Sequence, residues 1–173
     1  GKSVRLALEH AGADYTEIAL LSEAQGGGVS ALQRYLEGDD VEHPPFAPPF
    51  LRAGRQLIGQ TANILLYLGG RHGLAPKSEA GRLWVHQLQL TVTDFVKEIH
   101  DTHHPIASSL YYEDQKTEAK RYAGNHLKER APKYFGYFES VLKKSGGPFL
   151  TGRRLTYADL TLFQLVIGMR YAF

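Results

Sequence analysis

The 173 residues can form one domain or two small ones, and a chain of this length buries a core without disulfide bonds. Hydrophobic residues make up 43% and charged residues 22%, which excludes a wholly disordered or collagen-like protein, and the lack of cysteine excludes disulfide scaffolds, cysteine-ligated zinc and cysteine nucleophiles. The net charge is only +2 and is spread along the chain, which argues against a nucleic-acid partner. No apolar run approaches the roughly 18 residues of a membrane span, which argues against a membrane partner.

The chain opens with a predicted helix and a predicted strand. Apolar residues repeat at helical spacing over residues 3–12, and Gly12 is suited to end that helix. The β-branched and aromatic residues at positions 15–20 predict a short strand. A brief helix is expected at residues 29–36, after a glycine-rich loop.

A proline-rich segment separates these elements from a predicted hairpin. Four of the seven residues at 43–49 are proline, which excludes a helix or a central strand there. Residues 50–58 predict two short antiparallel strands joined by a turn that contains glycine. A helix is expected from Thr61 to near residue 70. Residues 1–72 therefore predict an α/β domain.

The second part of the chain, residues 79–173, predicts only helices. Apolar residues recur with the 3.6-residue period over residues 84–99, which predicts a helix of about five turns. A second long helix is expected over residues 123–141, with a bend at Pro132. The last helix is expected to begin at Thr156.

The order of elements predicts a strand that this sequence lacks. A βαβ unit needs a strand before its first helix, whereas this chain opens on the helix. We therefore expect about ten further residues upstream of Gly1 in the natural protein, enough for one strand.

Thr156 and Asp159 have the spacing of a capping box. In that motif each side chain binds an unpaired backbone N–H at the start of a helix. Well-capped helices are common, so this pair alone indicates a folding device rather than a catalytic one.

A second signal combines Pro48 and Pro49 with Gln60 and Thr61. A proline directly before a strand favours a cis peptide bond, and such a turn presents its backbone to a ligand that adds as a strand. Thr61 at a helix N-terminus suits a carboxylate, and Gln60 both donates and accepts hydrogen bonds. An ordinary proline loop followed by a helix N-cap is the alternative interpretation, and local pattern alone favours it.

These motifs occur in the order and spacing of a known family. Along nearly its whole length the chain resembles the cytosolic glutathione S-transferases, of a bacterial or fungal type, and the subclass stays open. Residues 4–15 are similar to that family's first helix and second strand, residues 48–51 to its cis-proline segment, and residues 60–69 to its Gln-Ser-x-Ala-Ile-x-x-Tyr-Leu helix. The capping box also lies where the family has one. The resemblance implies a thioredoxin-like α/β domain that binds glutathione, followed by an all-α helical domain that helps to bind an electrophile.

Site residues follow from this resemblance, position by position. It implies that Gln60 and Thr61 hold the γ-glutamyl group of glutathione, Thr61 through its hydroxyl and backbone N–H. It implies that Pro49 is the cis-proline and that Pro48 presents its backbone to the cysteinyl unit. Asp94 matches an acidic position that in several classes reaches the glutathione amino group across a dimer. An ordinary solvated helix residue is an equal alternative for Asp94.

The sequence departs from the family pattern in two ways. In the family, glutathione forms hydrogen bonds with both the N–H and the C=O of the residue before the cis-proline. Pro48 has no N–H, so one of these bonds is missing, at a cost of about 1 kcal/mol of binding free energy. The sequence therefore predicts weaker glutathione binding or a shifted pose. The family's thiol-activating Tyr, Ser or Cys lies at the end of the first strand, upstream of Gly1, so the catalytic residue is not named here. Thr61 replaces the usual serine and keeps the hydroxyl.

Four histidines at positions 86, 100, 103 and 104 raise the question of a metal site. His100 and His104 are four positions apart and share a helix face, as two metal ligands require. A third ligand is not evident, so a solvated or cleft-lining role is favoured and no metal is expected. The resemblance implies that His100 and His104 line the electrophile pocket, with Tyr111 or Tyr112 nearby.

The resemblance implies a homodimeric, cytoplasmic detoxification enzyme that conjugates glutathione to a small hydrophobic electrophile. Glutathione is then a cosubstrate, and no cofactor is required. One alternative is a non-catalytic binding module of the same fold, which the missing N–H of Pro48 favours. Another is a glutathione-dependent peroxidase or isomerase, which differs only in the second pocket. A cysteine-based thiol transferase requires a cysteine in the missing strand.

Overall fold

The computed structural model describes residues 1–38 and 41–173 of the chain. These residues divide into two compact units, Gly1–Lys77 and Ser78–Phe173. Within the described ranges, no helix is both long enough and apolar enough to cross a membrane.

The first unit is built from helices around one hairpin. Its regular elements are α1 (Lys2–Ala11), α2 (Gly28–Glu37), β1 (Phe50–Ala53), β2 (Gln56–Gly59) and α3 (Thr61–His72). Helix α1 packs on α3, and α3 contacts both strands. The core of this unit forms because α3 turns Ile64, Leu65 and Leu68 to one side, at 3% exposure or less.

The hairpin fixes where α3 begins. The strands are antiparallel, and Phe50 pairs with Gly59 at the end of the hairpin that leads into α3. Gly54 in the turn has φ 62°, a conformation that glycine adopts without a steric penalty. Only Gln60 separates β2 from α3, so the strand register sets the position of the helix N-terminus.

The strand predicted at positions 15–20 is wrong. Ile18–Leu20 is a single 3₁₀ turn, and the residues before it have no regular structure. The Tyr15 hydroxyl donates to Glu9 at 2.7 Å, and Glu17 lies 3.6 Å from the Arg5 guanidinium. These contacts hold the segment along α1. A strand forms only where another strand pairs with it, and the one sheet among the described residues consists of β1 and β2.

The second unit is helical, as predicted. Its helices are α4 (Glu79–His103), α5 (Lys116–Asn125), α6 (Ala131–Ser145) and α7 (Tyr157–Ala172). Helix α4 lies at its centre and contacts both α5 and α7. Four apolar side chains of α4 are fully buried at helical spacing: Val85, Leu88, Val92 and Phe95.

Helix α4 is longer than predicted, because it begins at a capping residue that the apolar pattern does not include. The Ser78 hydroxyl accepts the backbone N–H of Gly81 at 3.2 Å and so starts the helix five residues before the predicted apolar stripe. The helix ends at His103, close to the predicted end.

The second predicted long helix is divided by a π-helical segment. Residues His126–Arg130 join α5 to α6 as a π-helix, two positions before Pro132. Proline lacks a backbone N–H, so the regular α-helical hydrogen-bond pattern cannot continue through it unchanged. The sequence therefore predicts where the helix is irregular. The irregularity is a π-helical turn, which is wider than an α-helical turn, rather than a simple bend.

The start of α7 contains the predicted interaction of Thr156 with Asp159. The Asp159 carboxylate accepts the backbone N–H of Thr156 at 2.8 Å and its hydroxyl at 2.7 Å. It also accepts the backbone N–H of Leu150 at 2.7 Å, a contact that the local pattern does not predict. One carboxylate therefore caps α7 and fastens the preceding loop to it.

Candidate functional site

Gln60 has a strained backbone at the start of α3. Its φ is 66° and its ψ is 123°, and it is the one non-glycine residue with positive φ among those described. L-residues avoid this region because Cβ collides with the backbone. Such strain costs on the order of 1–3 kcal/mol and is concentrated at ligand sites. The backbone thus fixes the direction in which the exposed side chain of Gln60 leaves the chain at Cβ.

The N-terminus of α3 offers unpaired backbone donors next to Gln60. The first N–H groups of any helix lack intrahelical acceptors, and the helix dipole places partial positive charge there. No side chain caps α3: the Asn63 amide donates to the Gly59 carbonyl at 3.3 Å instead. Thr61 is half-buried, with its backbone N–H at this end. The arrangement can bind a carboxylate.

The proline segment lies at the same end of the hairpin as Gln60. The peptide bond between Pro48 and Pro49 is cis, as predicted. Pro49 precedes Phe50, and Gln60 follows Gly59, so the two flank a paired position of the sheet. The structure thereby brings Pro48, Pro49, Gln60 and Thr61 to one edge of the first unit. Pro48 is exposed.

Of the predicted residues of the second unit, Asp94 and His100 lie on α4, and His104 directly follows it. His100 and His104 do share a face, with their rings stacked at a centroid distance of 5.0 Å. Asp94 is exposed on the same helix, more than two turns before His104. Among the described residues, no group of three or more His, Cys, Asp and Glu side chains is arranged to hold a metal ion.

A cavity of about 500 Å³ lies at the end of α4. Its lining residues are Lys97, Asp101, His104, Pro105, Ile106, Ala107, Ser108 and Tyr122. His100 does not line it, and neither does Tyr111 or Tyr112, one of which the resemblance placed near the electrophile pocket. Tyr112 instead approaches His103, at a centroid distance of 6.2 Å. The pocket walls are more polar than a hydrophobic electrophile site requires.

Sequence reasoning missed a polar cluster between α4 and the segment that joins α5 to α6. Arg130 donates to Glu98 from Nε at 2.9 Å and from Nη2 at 2.6 Å, and the Tyr134 hydroxyl donates to Glu98 at 2.8 Å. The hydrogen bonds from Arg130 lower the pKa of the Glu98 carboxyl. Burial is the main cause of the raised pKa of Tyr134. No local signal identifies the cluster, because Glu98 lies 32 residues before Arg130 and 36 residues before Tyr134.

His126 completes this cluster without a hydrogen bond. Its side chain is 1% exposed, and both ring nitrogens are buried without a hydrogen-bond partner in the described residues. Its Nδ1 lies 3.6 Å from Glu98. Burial lowers the pKa of His126, because the charged imidazolium loses its hydration there. The residue is therefore a neutral part of the helical core at neutral pH.

A family model matches part of the helical unit, and known relatives match nearly the whole chain. Residues 100–173 match the family model described as glutathione S-transferase, C-terminal domain. Over 163 residues the chain is 24% identical to a glutathione S-transferase of Plasmodium yoelii yoelii, covering 94% of this chain and 69% of that protein. It is 27% identical to glutathione S-transferase A4 of Bos taurus, covering 97% of this chain and 68% of that protein.

Solved structures show the same fold. A monomeric glutathione S-transferase of the hookworm Necator americanus, Na-GST-3, superimposes with a TM-score of 0.66 at 20% identity, over 98% of this chain and 75% of that one. This likeness confirms the predicted fold class, a thioredoxin-like α/β domain followed by an all-helical domain. Relatives named glutathione S-transferase support the prediction of a glutathione transferase enzyme.

Proposed function

We propose that this chain, whose sequence and fold support its assignment to the cytosolic glutathione S-transferase family, is a transferase that joins the glutathione thiolate to a small electrophile. The observation that carries the proposal is the strained backbone of Gln60 at the uncapped N-terminus of α3. A fold keeps such strain where a ligand requires the geometry. The chain spans about two thirds of the length of these relatives, at 69% and 68%.

Gln60 and Thr61 are the proposed contacts of the γ-glutamyl group. That group carries one carboxylate and one ammonium, so it needs both donors and acceptors. The Thr61 hydroxyl and backbone N–H suit the carboxylate, assisted by the helix dipole. The amide of Gln60 can serve either charge. Together the two residues offer donors for the carboxylate and an acceptor for the ammonium, as an amino-acid end requires.

Pro48 and Pro49 are the proposed contacts of the cysteinyl unit. A peptide ligand can pair with the exposed edge at this segment as a short strand. Pro48 can accept one hydrogen bond through its carbonyl but can donate none. We expect glutathione to bind with one backbone hydrogen bond fewer than a donor-bearing residue would allow, a difference of about 1 kcal/mol.

Catalysis in this proposal depends on a bound thiolate placed beside the electrophile. Holding two reactants in reactive geometry turns a bimolecular step into an intramolecular one and supplies much of the rate. The thiol must lose its proton before attack, because the anion is the nucleophile. No described residue is assigned to this activation. His100 and His104 are the proposed contacts of the electrophile.

We propose a homodimer that uses α4. Leu83 and Leu90 are 64% and 47% exposed and lie seven positions apart, on one face of that helix. Asp94 is one turn beyond Leu90 on the same face, so a partner subunit covering the leucines would bring Asp94 near its surface. There its carboxylate could bind the glutathione ammonium of the partner. Cytoplasmic detoxification of electrophiles is the role that we propose for the assembled enzyme.

Titration calorimetry of glutathione into the natural protein tests this function. We expect binding in the micromolar to low-millimolar range, lost in Gln60→Ala. Gln56→Ala is the matched control, because Gln56 is an exposed glutamine in the same hairpin, and we expect no change. Binding without conjugation of any electrophile would favour the non-catalytic module. No heat from a folded protein would overturn the glutathione site.

A further inference from the structure

Glu98 of α4 has one acceptor position that no described residue uses. Its Oε1 accepts hydrogen bonds from the Arg130 Nη2 at 2.6 Å and from the Tyr134 hydroxyl at 2.8 Å. Its Oε2 accepts one hydrogen bond, from the Arg130 Nε at 2.9 Å. A carboxylate offers about four lone-pair sites, two on each oxygen. Among the described residues, Oε2 therefore keeps one site without a donor.

The His126 ring lies beside this unused site. Its Nδ1 is 3.6 Å from the Glu98 Oε2, which is too long for a hydrogen bond. The side chain is 1% exposed, and neither ring nitrogen has a hydrogen-bond partner in the part of the chain that the structure describes. The apolar ring of Phe95 lies at a centroid distance of 5.8 Å. The neutral imidazole is therefore buried next to a carboxylate that it does not bind.

Helices α4, α5 and α6 all contact the π-helical segment that begins with His126. Burial lowers the pKa of His126, the charge of Glu98 on α4 opposes this effect, and Arg130 on the segment itself adds to it. Tyr134 on α6 stays a neutral phenol, because burial and its hydrogen bond to Glu98 raise its pKa. Among the described residues, no charge on α5 acts on the ring. Glu98 is therefore the counter-ion that a protonated His126 would meet.

We propose that His126 is an acid-sensitive contact: when its ring takes up a solvent proton, Nδ1–H donates to the unused site on the Glu98 Oε2. This bond fastens the start of the π-helical segment to α4, whereas Arg130 already fastens its end to the same carboxylate. The Nδ1 to Oε2 distance shortens from 3.6 Å to about 2.8 Å, the length of a charge-assisted hydrogen bond. All four lone-pair sites of Glu98 are then used.

The contact requires an ionised Glu98 beside a protonated His126. Burial lowers the pKa of His126 from 6.5, and the hydrogen bonds from Arg130 lower the pKa of Glu98 from 4.5. Because Glu98 starts from the lower value and is lowered as well, we expect a range of pH in which both groups are charged. Protonation there costs stability relative to the unfolded chain, yet the protonated folded state gains one hydrogen bond.

NMR of the ring nitrogens tests the contact in the natural protein. Spectra are recorded from about pH 7.5 to about pH 4.5, on both sides of the ordinary histidine pKa, and His126→Phe identifies the signals. At the acidic end we expect a protonated Nδ1 whose hydrogen exchanges slowly with water, because it is buried and bound. A protonated ring with fast exchange would mean that the segment opens to water, and would overturn the contact. A ring that stays neutral throughout would overturn the acid sensitivity.

Two substitutions move the His126 proton affinity in opposite directions if Glu98 is its counter-ion. In Glu98→Gln the affinity should fall at least about tenfold, because the opposite charge is lost. In Arg130→Gln it should rise, because a like charge is removed. Glu139→Gln, at an exposed partner of Lys143, is the control and should leave it unchanged. Shifts of the same sign in the first two variants, or no shift in either, would overturn the role of Glu98.

These measurements need no glutathione, so their outcome is independent of the proposed function. If Glu98→Gln does not fold, the exchange rate of the Nδ1 hydrogen in the natural protein decides.

Discussion

Arg130 binds Glu98 through two parallel hydrogen bonds, from Nε at 2.9 Å and from Nη2 at 2.6 Å, and so joins the π-helical segment to α4. Bidentate pairs of this kind are among the stronger charged contacts in proteins. Glu98 is 24% exposed, and Tyr134 donates to the same carboxylate. The pair therefore connects α4 to the π-helical segment at this one position.

Glu98→Gln is expected to lower the free energy of unfolding by about 2 kcal/mol. An amide nitrogen replaces one of the two acceptor oxygens, so Arg130 loses one of its two hydrogen bonds, and Tyr134 also loses its bond where the replaced atom is Oε1. Urea denaturation measures the change. Glu139→Gln is the control, since Glu139 is an exposed partner of Lys143 at 2.9 Å and should contribute little. Equal effects of the two substitutions would contradict the importance of the bidentate pair.

Stability is expected to fall as the pH drops below about 6.5, because of His126. Burial lowers its folded-state pKa, so the unfolded chain takes up this proton at a higher pH than the folded chain does. Stability therefore rises with pH between the folded-state pKa and 6.5. The lowered pKa of Glu98 acts only in a more acidic range, below its ordinary value of 4.5.

Urea denaturation at several pH values between 5 and 7.5 measures this dependence (the window spans the ordinary histidine pKa of roughly 6.5). His126→Phe should flatten the slope, since an apolar ring of similar size has no proton to bind. His72→Gln should keep it, because His72 is exposed at the end of α3. An unchanged slope in His126→Phe would mean that another group titrates in this range.

Gln60→Gly is expected to stabilise the fold by about 1 kcal/mol while it abolishes glutathione binding. Glycine adopts a φ of 66° without a Cβ collision, so the strain at this position is relieved. Gln60→Ala keeps the strain and loses only the amide. Thermal unfolding and calorimetry on both variants separate the two effects. A less stable Gln60→Gly variant would show that the backbone here is not under strain.

Asp159→Ala is expected to lower the free energy of unfolding by about 3 kcal/mol. The substitution leaves the backbone N–H groups of Leu150 and Thr156 without their acceptor. Circular dichroism melts and urea denaturation measure the loss. Asp159→Asn should recover part of it, since the amide oxygen still accepts one of these bonds. A loss below about 1 kcal/mol would limit the role of Asp159 to an ordinary helix cap.

Tyr157→Phe is expected to be neutral or stabilising, although its site is completely buried. The hydroxyl is buried without a hydrogen-bond partner in the described residues, and burial raises its pKa to about 12. Removing an unpaired polar atom ends its desolvation cost and leaves the ring in place. The same unfolding measurements apply. A loss of more than about 1 kcal/mol would reveal a partner for the hydroxyl.

Local patterns predicted those parts of the structure that depend on local physics. The hairpin, the start of α3, the cis bond at Pro49 and the Thr156–Asp159 contact each arise within a few residues. The prediction of a strand at positions 15–20 was wrong because a strand needs a second strand to pair with. The local amino-acid composition does not show whether such a partner is present.

The unpredicted part of the site depends on contacts between distant residues. Glu98 meets Arg130 only after α4 and the π-helical segment pack together, and neither residue differs in sequence from an ordinary surface charge. Gln115 likewise looks like a solvated glutamine until the loop after α4 folds around it. The position of Gln60 was predictable, but its positive φ was not. Gln60 is the single residue that joins β2 to α3, and its φ depends on the relative direction of these two elements.

The continuity of α4 fixes the distance between residues at its two ends. As one continuous helix of 25 residues, it runs for about 37 Å, and Asp94 stands about 15 Å along its axis from His104. No loop lies between them that could absorb an insertion or deletion. A change of one residue in this stretch would move one position by about 1.5 Å and rotate it by roughly 100° relative to the other. The spacing of the two positions is therefore a fixed dimension of the protein.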